Sequence, residues 1–273
     1  MTIALTTTVA FLILMGMSDD DSAAQTEPRS MPAELLEHRE ISGRADQGLV
    51  LADQWYFGAT SHSICRFTTD WELVETKPVS LPGVNHLGAI DYHDGYIWGG
   101  FLHGPVGDGS DYDPADDRAI IAKIRAKDLR VMGMWDITDD VTWIDPVYFD
   151  GQHLWVGDAS DLGIHRYHFD KQGSLVRDGI FRYQEELHFS QGIRTVGDRL
   201  YSVHCFGSMK GLYEFQIPEQ LTEQINYPTR VWSVEASGVH LEGFDFIPGQ
   251  PDQIWEAQFD HVDRWRLEGL AGE

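Results

Sequence analysis

The sequence predicts an all-β chain folded as a five-bladed β-propeller, with an N-terminal strand completing the last blade. Three observations lead there. The first is a pattern that recurs five times: a polar residue, glycine or proline, an alternating apolar segment, a turn, and a second strand carrying tryptophan or tyrosine. The copies open at Gln47-Gly48, His86-Leu87-Gly88, Asp145-Pro146, Gln191-Gly192 and Glu242-Gly243, in steps of 40, 58, 46 and 51 residues from one glycine or proline to the next. Such periods belong to radial sheets or solenoids. The second is the alternation itself, period two and punctuated by turn pairs such as Asp94-Gly95 and Asp150-Gly151, which excludes helical and leucine-rich repeats. The third is four strands per copy, the unit of a blade whose closed ring leaves few edges exposed.

Taken in order, Ile3 to Met17 is apolar or threonine and is followed by Ser18-Asp19-Asp20-Asp21 and the small residues Ser22-Ala23-Ala24. An apolar run of this length, shorter than the ~20 residues of a spanning helix, predicts a signal peptide over 1–24, with a retained membrane anchor as the alternative. A secreted or periplasmic location follows. Residues 25–33 read as a linker and 34–270 as a single propeller domain. Leu35 to Ile41 has no hairpin partner of its own. Blade 1 runs from Gln47 through Trp55-Tyr56 to strands at Ile64–Phe67 and Glu72–Thr76; blade 2 continues through Trp98, Ile120–Ile124 and Arg130–Trp135. Blade 3 uses Trp155, Ile164–Phe169 and Leu175–Tyr183, and blade 4 uses Tyr201, Leu212–Gln216 and Thr229–Val234. Blade 5 passes through Trp255 and ends with Val262–Leu267, one strand short, so Leu35–Ile41 is expected to supply its outermost strand.

Composition narrows the partners. With 44 acidic and 20 basic side chains the formal charge is −24, a field that repels nucleic acids and anionic lipid surfaces alike. No nucleic acid and no membrane beyond an N-terminal anchor is expected; a small molecule or carbohydrate is, bound by a monomer. Only 5 of the basic residues are lysine against 15 arginine, a balance suited to high salt. Cys65 and Cys205 lie in strand-like segments and are expected to be free and buried.

In a propeller the innermost strand starts, and the second strand ends, on the same face, around the mouth of the central channel. Gln47, His86, Asp145, Gln191 and Glu242, with Asn85 and His240, fall at the strand starts; His62, His103, Asp158, His204 and Asp260 fall at the strand ends. That recurrence makes the mouth the candidate pocket. Asp145, Gln191 and Glu242 are candidate metal ligands. Their oxygens, with Gln47 and Asn85, suit calcium, favoured over a manganese or zinc site built on the histidines. The divalent cation would polarise a carbonyl or carboxylate while His86 or His204 moved a proton, giving hydrolysis or β-elimination. Trp143, His103, Asp158 and Gln47 are candidate substrate contacts. The recurring tryptophans read as core, the acidic run Asp108, Asp111, Asp113, Asp116 and Asp117 as a solvated loop, and His93, His153, His165 and His168 as solvated.

Gln47-Gly48-Leu49 with its aromatic strand resembles the first blade of glutamine cyclotransferases, which are five-bladed. Glu242-Gly243 with its tryptophan strand is similar to blade openings in regucalcin/gluconolactonase, paraoxonase and strictosidine-synthase-like propellers. The first resemblance implies cyclisation of N-terminal glutamine, for which a glutamate-glycine pair would open the second blade; this chain has Leu87-Gly88 there. A non-catalytic ligand-binding or protein-interaction propeller is the further alternative.

Overall fold

A computed structural model describes residues 27–52, 54–104, 116–188, 190–205, 210–234 and 241–270. Both alternatives for residues 1–24, the loop acids Asp108, Asp111 and Asp113, and His240 lie outside them. Among the described residues no helix is long and apolar enough to cross a membrane.

Five sheets, antiparallel apart from two short added strands, surround one axis. Blade 1 is β3 (Gly48–Leu51), β4 (Tyr56–Thr60), β5 (Ser63–Phe67) and β6 (Leu73–Pro78). Blade 2 is β7 (His86–His93), β8 (Tyr96–His103), β9 (Arg118–Arg125) and β10 (Arg130–Asp136). Blade 3 is β11 (Ile144–Phe149), β12 (His153–Asp158), β13 (Gly163–Phe169) and β14 (Leu175–Tyr183), with β18 (Ile225–Asn226) added parallel to β14. Blade 4 is β15 (Gly192–Val196), β16 (Arg199–His204), β17 (Gly211–Gln216) and β19 (Arg230–Trp232). Blade 5 is β20 (Gly243–Ile247), β21 (Gln250–Gln258) and β22 (His261–Leu267).

The unpartnered N-terminal segment does close the ring: β2 (Ala33–Glu40) pairs antiparallel with β22, placing Ala33 opposite Leu267 and Glu40 opposite His261. Within the segment read as a linker, β1 (Arg29–Met31) forms a strand parallel to β19. The N-terminal arm therefore edges blade 4 and then blade 5.

Period-two alternation gives each blade two apolar faces, and adjacent faces meet in five wedges instead of one central core. Phe57, Ile64, Ile97 and Phe101 fill the wedge between blades 1 and 2. Trp98, Ile121, Val147 and Leu154 fill the next, followed by Trp155, Phe181, Leu200 and Phe215. Tyr201, Trp232, Phe244 and Trp265 separate blades 4 and 5. Leu49, Phe67, Trp71 and Trp255 complete the circle between blades 5 and 1. The second-strand aromatics are thus interblade core, as their recurrence implies. Cys65 and Cys205 are buried and are not joined in a disulfide.

At the axis the inner strands nearly touch. A Cβ on Gly243 would lie 2.8 Å from the Gly48 Cα, and one on Gly48, whose φ is +137°, only 3.0 Å from the Ala89 Cβ. Side chains larger than hydrogen would spread blades 5, 1 and 2 apart, so the glycines set how narrow the channel is. Two residues into β15, Arg194 fills it. Its Nε donates to Asp245 Oδ1 at 3.0 Å, and its Nη1 lies 3.6 Å from Asp91 Oδ1. The second oxygens of these carboxylates accept Leu51 N–H at 2.8 Å and Phe149 N–H at 3.0 Å. One guanidinium from blade 4 thereby ties blades 2 and 5 directly, and blades 1 and 3 through the shared carboxylates.

Candidate functional site at the axial mouth

Each inner strand begins beside the axis, so the residue just before its glycine or proline stands at the channel mouth. Glu242 is 6% exposed and its backbone N–H donates to Ala257 O at 3.2 Å. Gln191, equally buried, donates Nε2–H to Glu242 Oε2 at 3.1 Å. Its Oε1 is buried with no hydrogen-bond partner. Asp145 is half-buried; its Oδ1 accepts Ala89 N–H at 2.9 Å, at the bulge where β7 slips register. Gly88 in that bulge is required because a Cβ would stand 2.5 Å from the Asp145 carboxylate. Of the three expected metal ligands, Gln191 and Glu242 are hydrogen-bonded to each other and Asp145 is near enough to act on the Glu242 charge.

Burial dominates the electrostatics of the two carboxyls. Burial lifts the Glu242 carboxyl to about 8, and the negative neighbours Asp145 and Asp46 push the same way. Burial lifts Asp145 to about 7 against the opposing pull of the Ala89 hydrogen bond. Desolvation disfavours the charged form in both. Cys205 lies under the same group: burial pushes its thiol up to about 12, with Glu242 adding to the rise.

The rest of the mouth divides. His86 is half-buried, its Nδ1 has no hydrogen-bond partner, and burial with the neighbouring His62 lowers it to about 4, so it is neutral at pH 7. His103 also has a buried Nδ1 without a partner. Beside it Asn85 clasps Gly104 through two hydrogen bonds, Nδ2 to O at 3.1 Å and Gly104 N to Oδ1 at 3.3 Å. The Trp143 indole packs on Gly104, 2.5 Å from where a Cβ would be. Asp158 is a loop anchor. Its Oδ1 accepts Trp143 N–H at 3.3 Å and the Ser160 N–H and hydroxyl at 2.9 and 2.6 Å. Gln47 is half-buried and contributes a backbone N–H to Ala59 O at 3.0 Å.

His204 stands apart from this group. It is fully buried in the wedge between blades 3 and 4, edge-on to Tyr183 and Tyr213. Its Nε2 is 3.0 Å from Ser202 Oγ and its Nδ1 3.1 Å from Leu187 O. It packs as a core histidine rather than facing the channel, because period two sends it to the same side of β16 as Ser202. His165, expected in solvent, is 1% exposed with its Nε2 4.0 Å from Asp158 Oδ2. Sequence reading missed Arg44 and Asp46, which pair at 2.9 Å. They line a cleft of about 470 Å³ beside the mouth together with Thr60, Ser61 and His62. They sit in a loop, where no period marks which side chain turns inward.

No protein-family model matches the chain, and no curated protein matches it. Solved structures share the fold. Myxococcus xanthus glutaminyl cyclase is 11% identical, with a TM-score of 0.60 over 88% of this chain and 98% of the cyclase. A protein named as a candidate gluconolactonase is 12% identical, with a TM-score of 0.54 over 91% of this chain and 96% of its own.

Proposed function

We propose that the protein is a small-molecule hydrolase or lyase whose axial mouth holds a divalent cation, calcium by its donors, through Glu242, Gln191 and Asp145. One observation carries the reading. A buried amide oxygen without a partner stands beside a desolvated carboxyl whose strongest electrostatic neighbours are two further acids. Such a site is short of positive charge, and an all-oxygen donor set matches a hard cation. When bound, the cation would polarise a substrate carbonyl or carboxylate oxygen. His86, whose Nδ1 has no partner, is the proton acceptor available at pH 7, while His103, Trp143 and the Arg44–Asp46 cleft supply contacts for the remainder of the substrate. Export, if the N-terminal residues direct it, would place the site in a calcium-rich medium.

Calorimetric titration with calcium after chelator treatment tests this, alongside thermal midpoints and a screen of esters, lactones and uronic-acid sugars. The wild type is expected to bind calcium and gain about 5–10 °C at saturation, with Glu242→Gln losing both the response and the turnover. Turnover unchanged by chelator and by Glu242→Gln would overturn the reading. A second reading, cyclisation of N-terminal glutamine, is favoured by the cyclase likeness alone. An N-terminal glutamine peptide assayed in the same screen separates the two.

A further inference from the structure

A second cluster lies away from the axis, where the N-terminal strand meets the last blade. His38 on β2 and His261 and Asp263 on β22 each offer a ligand atom, and these atoms lie within 4.8 Å of one another. His38 Nδ1 is 2.7 Å from Asp263 Oδ1, and the His38 and His261 rings lie 4.7 Å apart between centroids, tilted by 47°. Asp263 is fully buried, and its Oδ2 has no hydrogen-bond partner. Directly across the sheet from it, Glu256 is also fully buried with Oε1 unpartnered. His261 is held at both ring nitrogens, Nδ1 at 3.2 Å from the exposed Asp260 Oδ1 and Nε2 at 3.2 Å from Gln258 Oε1, so a metal would displace one of these partners.

We propose that His38, His261 and Asp263 form a zinc-class metal site that clamps the N-terminal strand to the last blade. The His38–Asp263 contact by itself leaves the second Asp263 oxygen without a partner in a buried setting. A metal held by two imidazoles and one carboxylate would engage the Asp263 carboxylate that this contact leaves half satisfied. Two nitrogens and one oxygen are the donors of zinc, nickel or copper sites, and not of calcium or magnesium. His38, with its side chain about half exposed, leaves room for water in the remaining position.

The test uses the full chain stripped with chelator and titrated with zinc chloride, then cobalt chloride, at pH 7.5. Zinc is expected to raise the thermal midpoint by about 5–10 °C at saturation, and cobalt to give a visible d–d absorption from nitrogen ligation. His38→Ala, on an exposed strand face, should fold with an unchanged circular dichroism spectrum and bind zinc more than about 10-fold more weakly. Glu242→Gln should leave zinc binding intact, which separates this site from the axial one. Zinc binding and midpoint shift equal in the wild type and His38→Ala, or no zinc bound by the wild type at a hundredfold molar excess, would overturn the proposal.

Discussion

The Glu242 carboxyl shows how position alone sets chemistry. Its folded-state value of about 8 lies above the ordinary 4.5 because burial comes first and Asp145 second. Below pH 4.5 the group is protonated both folded and unfolded. Between 4.5 and 8 the folded state keeps a proton that the unfolded chain has released, so stability falls as pH rises through this window. Asp145, raised from 3.8 to about 7, acts in the same direction. In chelator, Glu242→Gln should match the wild type near pH 4.5 and exceed it by on the order of 2 kcal/mol at pH 8.5. Denaturant melts at the two pH values measure this, and an equal difference at both would show that Glu242 ionises freely. Glu242, Asp145 and Gln191 were legible as a group because each precedes the glycine or proline that marks one copy of the repeat. His204 occupies an equally regular place at a strand end, but its side of the strand faces a neighbouring blade, and the one-dimensional pattern does not distinguish wedge from channel.

At the scale of elements, the wedges explain why the blades could be counted from tryptophan and tyrosine. Each second strand must bury one large aromatic against the following blade, so the spacing of Trp98, Trp155, Tyr201 and Trp255 repeats the spacing of the sheets. The strand β1 was not legible. Three residues, Arg29–Met31, carry too little alternation to register, and they are held by backbone pairing and by Met31, which is buried against blades 4 and 5. β2 was legible because blade 5 lacked a strand. Removing residues 1–41 takes both edges away and uncovers Trp265 and Leu267. The truncated chain is expected to lose cooperative unfolding, and a single sharp calorimetric transition retained after truncation would contradict that expectation.

Over the whole molecule, Arg194 does what no single wedge does, since its two carboxylate partners reach the backbones of the remaining blades. Replacing it with methionine leaves Asp91 and Asp245 buried without a counter-charge and should cost about 3–5 kcal/mol. Adding Asp91→Asn and Asp245→Asn should recover part of that loss, as read by chemical denaturation. A further consequence comes from the closing strand. The strand β2 pairs with β22, which is synthesised more than two hundred residues later. At ~5–20 residues per second it waits on the order of ten to fifty seconds for its partner. During that interval blades 1 to 3 can assemble in order of synthesis, while the nascent chain carries an unmatched strand edge at β2. A chaperone that shields that edge would raise the yield of finished rings without altering their stability.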